Sequence, residues 1–281
     1  MVMIQAHRGS SENYPENTML AFVKAVEEGA GAIEMDVRRT LDGEYIIMHD
    51  ASIDRTTNGT GNVTDLNWSY ISTLDAGGWK GSEFADREDT KVPLLYDVLD
   101  YFNGENIILV LHLYISSSQS EVLVDNVSSR GMINQVHFFQ TQSVVNHIES
   151  YNPDAFTQSG GMTTIDTYEN YLQNAIDNNI DAVSVNANET ASNLEIMIKD
   201  SHRAGKYVQA SYLSNNYYSR VKLLASLGID FILGNDVEAM VNALNDRSLM
   251  KADFYDTSKI KRDAFFIKEQ RLVKTNIMLI D

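Results

Sequence analysis

A chain of 281 residues suits either one large α/β barrel or two ordinary domains, and its 43% of hydrophobic residues provides for a sizeable core. The net charge of −17 argues against nucleic acid or an anionic membrane as a general partner, since both attract basic surfaces. No apolar run approaches the roughly 18 residues of a membrane span, and the absence of cysteine excludes disulfides and thiolate metal sites.

The first six residues, MVMIQA, lack both a basic segment and a long apolar run. They predict a strand that begins at once rather than a signal peptide. The compartment stays open, because the sequence is compatible with the cytoplasm and with export followed by removal of a signal.

Short apolar runs alternate with segments of helical period over residues 2–245. The runs predict strands at 2–7, 31–37, 45–49, 107–113, 135–140, 154–158, 182–186, 207–212 and 229–233. The segments between them predict helices at 17–28, 94–103, 118–130, 142–150, 167–178, 190–204, 216–226 and 236–245, with Thr167 and Asn188 as N-caps. Regular alternation indicates a parallel sheet with crossover helices, and eight such units favour a closed (β/α)8 TIM barrel over an open sheet.

Two regions interrupt this rhythm. Residues 50–92 are polar, rich in Gly, Thr and Asp, and contain no helix of barrel length, so we predict an insertion over the active-site face of the barrel. Residues 246–281 are predicted to form a C-terminal extension to a barrel of residues 1–245, with two strand-like runs between 263 and 280.

Paired carboxylates end the second predicted strand. Glu34 and Asp36 are two residues apart, so both carboxylates point to one face of that strand. Two carboxylates that point into a core repel each other, and a divalent cation removes that cost. Oxygen ligands suit Mg²⁺ or Ca²⁺, whereas a helix cap or a salt-bridged pair is the purely structural interpretation.

Histidines also lie at strand ends, where a barrel exposes its chemistry. His7 ends the first strand and Arg8 follows it, His49 ends the third strand, and His112 lies near the end of the fourth. Two histidines that titrate near neutrality beside an arginine are typical of an acid, a base and a phosphate clamp. Taken singly, a histidine at a strand end is more often a hydrogen-bonded packing residue than a catalyst.

These motifs, in this order, resemble the glycerophosphodiester phosphodiesterase family. They comprise HRG at 7–9, ENT at 16–18, the E-x-D pair at 34–36, HD at 49–50, IDRTTNGTG at 53–61 and VPL at 92–94. The resemblance is dense over residues 4–100, whereas over 107–245 it is carried mainly by the strand–helix rhythm. It implies the TIM barrel, with residues 50–92 as the insertion of the family.

The resemblance also implies roles for single residues. His7 and His49 would be the general base and general acid, and Arg8 would bind the phosphate. Glu34 and Asp36 would hold the metal. Nearby support for the site would come from two residues of the first loop, Glu16 and Asn17.

The activity implied is metal-dependent hydrolysis of a glycerophosphodiester to glycerol phosphate and an alcohol. One histidine would take a proton from water or from the neighbouring glycerol hydroxyl, and the other would protonate the departing alkoxide. The partner would then be a small glycerophosphodiester or a glycerol-phosphate polymer.

The chain departs from the family in the half that completes the site. Where the family carries Glu-Ile-Lys, this chain has His112, Leu113 and Tyr114. Imidazole can still coordinate, so His112 would complete a site with the two carboxylates and shift its preference toward Mn²⁺ or Zn²⁺. Tyr114 can hydrogen-bond a substrate phosphate but lacks the positive charge of lysine. The family's Thr-Asp before the last helix is Gly-Asn at 234–235.

Three alternatives stay open: the departures motivate the first, the strand-like runs between 263 and 280 the second, and the histidines with the E-x-D pair the third. The first is a catalytically impaired barrel that binds a phosphodiester without cleaving it, although binding alone requires no matched acid and base. The second is a hydrolase of polymeric glycerol phosphate such as teichoic acid. The third is a phospholipase D-like relative acting on sphingomyelin or lysophospholipids, which the long 50–92 insertion and the acidic surface disfavour.

Overall fold

A computed structural model describes residues 2–161, 163–213 and 217–246. Its strands are β1 (Met3–His7), β2 (Ala32–Arg39), β3 (Tyr45–Ile47), β4 (Ile108–Leu113), β5 (Val136–Gln140), β6 (Phe156–Ser159), β7 (Ala182–Val185), β8 (Tyr207–Leu213) and β9 (Phe231–Gly234). Its α-helices are α1 (Met19–Glu27), α2 (Trp68–Ile71), α3 (Leu95–Phe102), α4 (Ser117–Ser129), α5 (Gln142–Tyr151), α6 (Ile165–Asp177), α7 (Ala191–Arg203), α8 (Tyr217–Ser226) and α9 (Val237–Asn245).

Eight of the strands form a closed parallel barrel. Strand β1 pairs with β2 on one side and with β9 on the other, and the remaining parallel pairs run in order from β2 through β4 to β9. Helices connect successive barrel strands. The predicted (β/α)8 barrel is therefore confirmed.

The predicted strand at 45–49 exists in part, but it is not a strand of the barrel. Strand β3 covers only Tyr45–Ile47 and pairs antiparallel with β2 outside the barrel, as the return arm of a tight hairpin. His49 consequently lies in the loop after this hairpin and not at the end of a barrel strand. Arg38 and Arg39 of β2 extend beyond its pairing with β4, and β3 runs back along them. The hairpin therefore brings His49 back to the end of the barrel at which the parallel strands have their carboxyl ends.

The alternation of side chains along the strands builds two separate interiors. Ile33, Met35 and Val37 of β2 face outward and pack with the helices in the main hydrophobic core. The intervening side chains face into the barrel, where its centre is polar. Gln5, Gln158, Ser184 and Gln209 are buried there in a hydrogen-bonded cluster, with 2.8 Å between Gln209 Nε2 and Gln5 Oε1.

The insertion at 50–92 has a small core of its own. Apart from α2 it contains only short 3₁₀ turns, as the sequence predicted. Six of its buried residues pack with Ile46 of β3 and with Met48, and these six are Ile53, Val63, Ile71, Leu74, Ala76 and Val92. Lys80 Nζ ties the insertion to the first barrel loop by donating to the carbonyls of Ser11 and Glu12, at 2.9 and 2.8 Å.

Two predicted helix caps are wrong. The N-cap of α6 is Thr164, and that of α7 is Thr190, whose side chain accepts from the amide of Asn193. Asn188 instead lies in the preceding turn, where its amide donates to the side-chain oxygen of Asn186. The predicted extension lies, apart from Asp246, outside the described residues, and no described helix is long and apolar enough to cross a membrane.

The first barrel loop contains a glycine that no other residue can replace without strain. Gly9 has φ +80°, and a Cβ at this position would lie 2.7 Å from the backbone of Ala21 on α1. Gly104 has a similar φ of +82° but nothing within 4 Å of the same point.

We expect Gly9→Ala to lower the free energy of unfolding by about 3 kcal/mol, because the left-handed backbone and the clash with α1 add. Gly104→Ala, the matched control, carries only the backbone strain and should cost about 1 kcal/mol. Urea unfolding followed by circular dichroism measures both values. Equal costs for the two variants would contradict the close approach of the loop to α1.

Candidate active site

The strand register brings the predicted site residues to one end of the barrel. His7 of β1 is level with Glu34 of β2, and Asp36 of β2 is level with His112 of β4. All four side chains face the barrel interior, at the carboxyl ends of the parallel strands. This is the face on which TIM barrels hold their active sites.

Glu34, Asp36 and His112 form a compact cluster whose three ligand atoms lie within 4.8 Å of one another. His112 Nδ1 is 3.2 Å from Asp36 Oδ1 and 3.5 Å from Glu34 Oε1. Asp36 Oδ1 is buried and has no hydrogen-bond partner among the described residues. Converging donor atoms around an unsatisfied carboxylate oxygen fit a divalent metal ion, and the cluster could bind one.

The charged groups of the cluster shift one another's pKa values. Burial acts to raise the pKa of Asp36, but the neighbouring His112 and Arg8 outweigh it and lower that pKa to about 2. Burial likewise acts to lower the pKa of His112, but Asp36 and Glu34 outweigh it and raise that pKa to about 9. In the absence of a metal, a protonated imidazole therefore takes the place of a cation beside the two carboxylates.

The loop after β1 supports both carboxylates from the other side. Arg8 and Asn17 both adopt left-handed backbone with φ +57°, a conformation that costs about 1 kcal/mol for a non-glycine residue. Hydrogen bonds to the two carboxylates offset this backbone strain. The amide of Arg8 donates to Glu34 Oε2 at 3.0 Å, and Asn17 Nδ2 donates to Asp36 Oδ2 at 2.8 Å.

A chain of ion pairs runs from this cluster to His49. Arg8 bridges Asp36 and Glu16, with Nε 3.1 Å from Asp36 Oδ2 and Nη1 3.0 Å from Glu16 Oε1. Arg55 of the insertion then bridges Glu16 and Asp50, at 2.7 and 2.6 Å. Asp50 Oδ1 lies 2.7 Å from His49 Nδ1.

Arginine neighbours stabilise the acidic members of this chain as carboxylates. Burial acts to raise the pKa of Glu16, but Arg55 and Arg8 together hold it below its usual range. Hydrogen bonds from Arg55 hold the pKa of Asp50 well below its usual range. Both groups are therefore charged at neutral pH.

The two predicted catalytic histidines have unlike partners. His7 Nδ1 lies 2.7 Å from the amide oxygen of Asn235, which follows β9, whereas His49 Nδ1 lies 2.7 Å from the carboxylate of Asp50. An oxygen at Nδ1 accepts the N–H of the ring, so Nε2 is the nitrogen that each ring presents for proton transfer.

Tyr114 lies beside two histidines of the site, His112 and His49. Its ring centroid is 4.5 Å from that of His112 and 5.7 Å from that of His49. Burial and the charges of Asp36 and Glu34 hold the pKa of its phenol well above the usual range, so the group is neutral. The guanidinium of Arg38 lies over the ring, 4.3 Å from its centroid.

Sequence reasoning assigned no role to Arg38, Asp50, Arg55 or Asn235. The signal for Arg38 was available, because a period of two carries the inward face from Glu34 through Asp36 to residue 38. Asp50 and Arg55 stand within the quoted HD and IDRTT motifs. The pairing of Asn235 with His7 spans 228 positions and depends on barrel closure, which no local pattern shows.

The remaining described histidines lie apart from this site. His137 is buried inside the barrel and stacks on Phe156 at 3.7 Å between ring centroids. His147 on α5 and His202 on α7 pair with carboxylates on the outside of the barrel. None of them was predicted to have a role.

Comparison with known proteins places this geometry in a family. The model of the Glycerophosphoryl diester phosphodiesterase family matches residues 7–239. A glycerophosphodiester phosphodiesterase from Caldanaerobacter subterraneus subsp. tengcongensis is 41% identical over 111 residues, which are 40% of this chain and 44% of that protein. The chain thus aligns with about half or less of the length of the curated relatives that it matches.

Solved structures resemble the whole barrel. The glycerophosphodiester phosphodiesterase from Agrobacterium tumefaciens has a TM-score of 0.75 at 26% identity, with coverage of 86% of this chain and 100% of the other. An Oleispira antarctica phosphodiesterase in complex with the product sn-glycerol-3-phosphate also has a TM-score of 0.75, at 21% identity, covering 87% of this chain and 97% of the other. On the match of the family model across most of its length, this chain belongs to the glycerophosphoryl diester phosphodiesterase family.

Proposed function

We propose that the protein hydrolyses a glycerophosphodiester to glycerol phosphate and an alcohol, with His7 and His49 as its proton-transfer pair. The observation that carries the proposal is that both histidines are anchored through Nδ1 at the mouth that holds the carboxylate–histidine cluster. Membership of the family supports the same reaction.

Glu34, Asp36 and His112 are the residues that would hold a divalent metal ion. When bound, the ion would supply positive charge that stabilises the phosphoryl oxygens. Two carboxylates favour Mg²⁺ or Ca²⁺, whereas the imidazole of His112 shifts the preference toward Mn²⁺ or Zn²⁺. Asn17 and Arg8 keep Asp36 in place through hydrogen bonding and charge.

We assign the two histidines opposite tasks, as the resemblance to the family implies. The amide oxygen of Asn235 fixes His7 through Nδ1, and Nε2 of that ring would take a proton from water or from a glycerol hydroxyl as the general base. The carboxylate of Asp50 fixes His49 through Nδ1, and Nε2 of that ring would deliver a proton to the departing alkoxide as the general acid.

The alternative of binding without cleavage has weaker support. It was motivated by the loss of the third carboxylate and of the lysine, but His112 completes a cluster of three donor atoms. A polymeric glycerol phosphate as substrate rests on the extension beyond residue 246, which lies outside the described residues. Both alternatives become outcomes of the first experiment.

The release of glycerol phosphate from glycerophosphocholine and from a glycerol-phosphate polymer tests the proposal, with Mg²⁺, Ca²⁺, Mn²⁺ and Zn²⁺ added in turn. We expect metal-dependent turnover that falls by at least about 100-fold in His7→Ala and in His49→Ala, because each removes one proton-transfer group. His147→Ala, on the outer surface, is the matched control and should keep full activity.

Absence of turnover with every metal and substrate, together with retained binding of the diester, would replace the proposal with the binding barrel. Turnover of the polymer alone would keep the chemistry and change the substrate.

Metal binding can be measured without turnover. Titration calorimetry with Mn²⁺ should show one site, which Glu34→Gln and Asp36→Asn weaken by about 100-fold or more, since even outer-shell changes cost 10- to 100-fold. Glu27→Gln, an exposed carboxylate on α1, is the control. Equal Mn²⁺ affinity in all four proteins would exclude the cluster as the metal site.

The same titration should release protons. The pKa of His112 is about 9 without metal, so the ring is protonated at pH 7 and must lose its proton to coordinate an ion. We expect about one proton released per ion at pH 7, declining as pH rises above 9. Buffers of different ionisation enthalpy measure this number, and an unchanged proton count in His112→Ala would contradict its role as a ligand.

A further inference from the structure

Three arginines border the candidate active site, and they differ in how their charge is balanced. Arg8 contacts Glu16 and Asp36, and Arg55 contacts Glu16 and Asp50. Arg38 has no carboxylate within 4 Å among the residues that the structure describes. The charges of Asp36 and Asp50 reach Arg38 only from beyond that distance. Among these three arginines of the described site, Arg38 is therefore the one without a direct ion pair.

Neutral contacts hold Arg38 in a fixed position. Its Nε donates to the carbonyl of His49 at 2.8 Å, Nη2 donates to the same oxygen, and the guanidinium plane lies over the Tyr114 ring. Burial lowers the pKa of this guanidinium, although it stays charged at any physiological pH. Within the described residues, Nη1 has no hydrogen-bond partner and is not enclosed.

A half-buried cation without a direct ion pair is only partly stabilised, because neither a carbonyl dipole nor an aromatic face offsets full desolvation. An anionic ligand at this position would gain a charge-assisted hydrogen bond from it. Arg38 lies two residues beyond Asp36 on the inward face of β2, so its guanidinium borders the predicted metal cluster.

The residue that follows β4 supports this cation. The ring of Tyr114 lies under the guanidinium of Arg38, and burial and the charges of Asp36 and Glu34 keep its phenol neutral. The site thus carries, on this side, a positioned cation that makes no direct ion pair.

We propose that Arg38 binds the phosphate of the substrate on the side opposite Arg8, with Tyr114 as the aromatic platform that positions its guanidinium. This inference rests on the proposed function for the identity of the ligand, a phosphate ester. Arg38 contacts the substrate and Tyr114 acts through Arg38.

Binding of inorganic phosphate and of sn-glycerol 3-phosphate, measured by titration calorimetry with Mg²⁺ present, tests this without catalysis. Arg38→Gln should weaken both by about 10- to 100-fold, the value of a charge-assisted hydrogen bond. Arg39→Gln is the matched control: the next residue also donates to a carbonyl and lies near a tyrosine ring, but it faces away from the mouth, so affinity should not change.

A double variant, Arg38→Gln with Tyr114→Lys, places a new cation on the residue that follows β4, beside the position of Arg38. It should recover most of the lost affinity. A purely structural role for Arg38, through the His49 carbonyl, would lower kcat of diester hydrolysis while phosphate affinity stays at the level of the unaltered protein.

Unchanged affinity in Arg38→Gln, or failure of the unaltered protein to bind either anion, would overturn the inference. Loss of phosphate affinity in Arg38→Gln together with no hydrolysis of any diester by the unaltered protein would support it, and would sink only the proposed function.

Discussion

The buried carboxylate of Asp36 is the constraint around which the site is organised. It lies at the centre of a ring of contacts from Asn17, Arg8 and His112, which come from the first loop and from β4. An isolated buried carboxylate would be strongly destabilising, and these partners outweigh the effect of burial and lower its pKa. The two left-handed residues of the first loop bring a backbone amide to Glu34 and a guanidinium and a side-chain amide to Asp36.

Positive and negative groups then alternate outward from this centre. Arg8, Glu16, Arg55 and Asp50 each satisfy the next, and the series ends at His49. Since Arg55 belongs to the insertion, the insertion contributes to the electrostatics of the barrel and not merely to its cover. The orientation of His49 therefore depends on Asp50 and Arg55 of the insertion and, through Arg55, on Glu16 of the first barrel loop.

Much of the fold was predictable from the sequence because barrel strands and helices have distinct periods, and the βα rhythm indicated eight units. The strand at 45–49 was predicted without its antiparallel pairing outside the barrel, since an apolar run does not show how a strand pairs. The caps at Thr167 and Asn188 failed because several polar residues precede α6 and α7 and only backbone geometry selects one. The cluster of Glu34, Asp36 and His112 was predictable from alternation and strand ends, whereas the contact of Asn235 with His7 arises only when β9 closes on β1.

The ends of the insertion meet in space. The amide of Ile47 donates to the carbonyl of Pro93 at 3.0 Å, and Ile46 forms a bridge with Leu94. The intervening segment is thus a closed excursion that begins and ends at one point of the scaffold. Because loop-closure entropy grows only slowly with length, the parts of this excursion that lie away from Asp50, Arg55 and Lys80 can lengthen or shorten with little effect on the barrel beneath it. The architecture thus attaches the insertion to the barrel at a single junction, where changes of loop length can alter the cover of the site without interrupting a barrel strand.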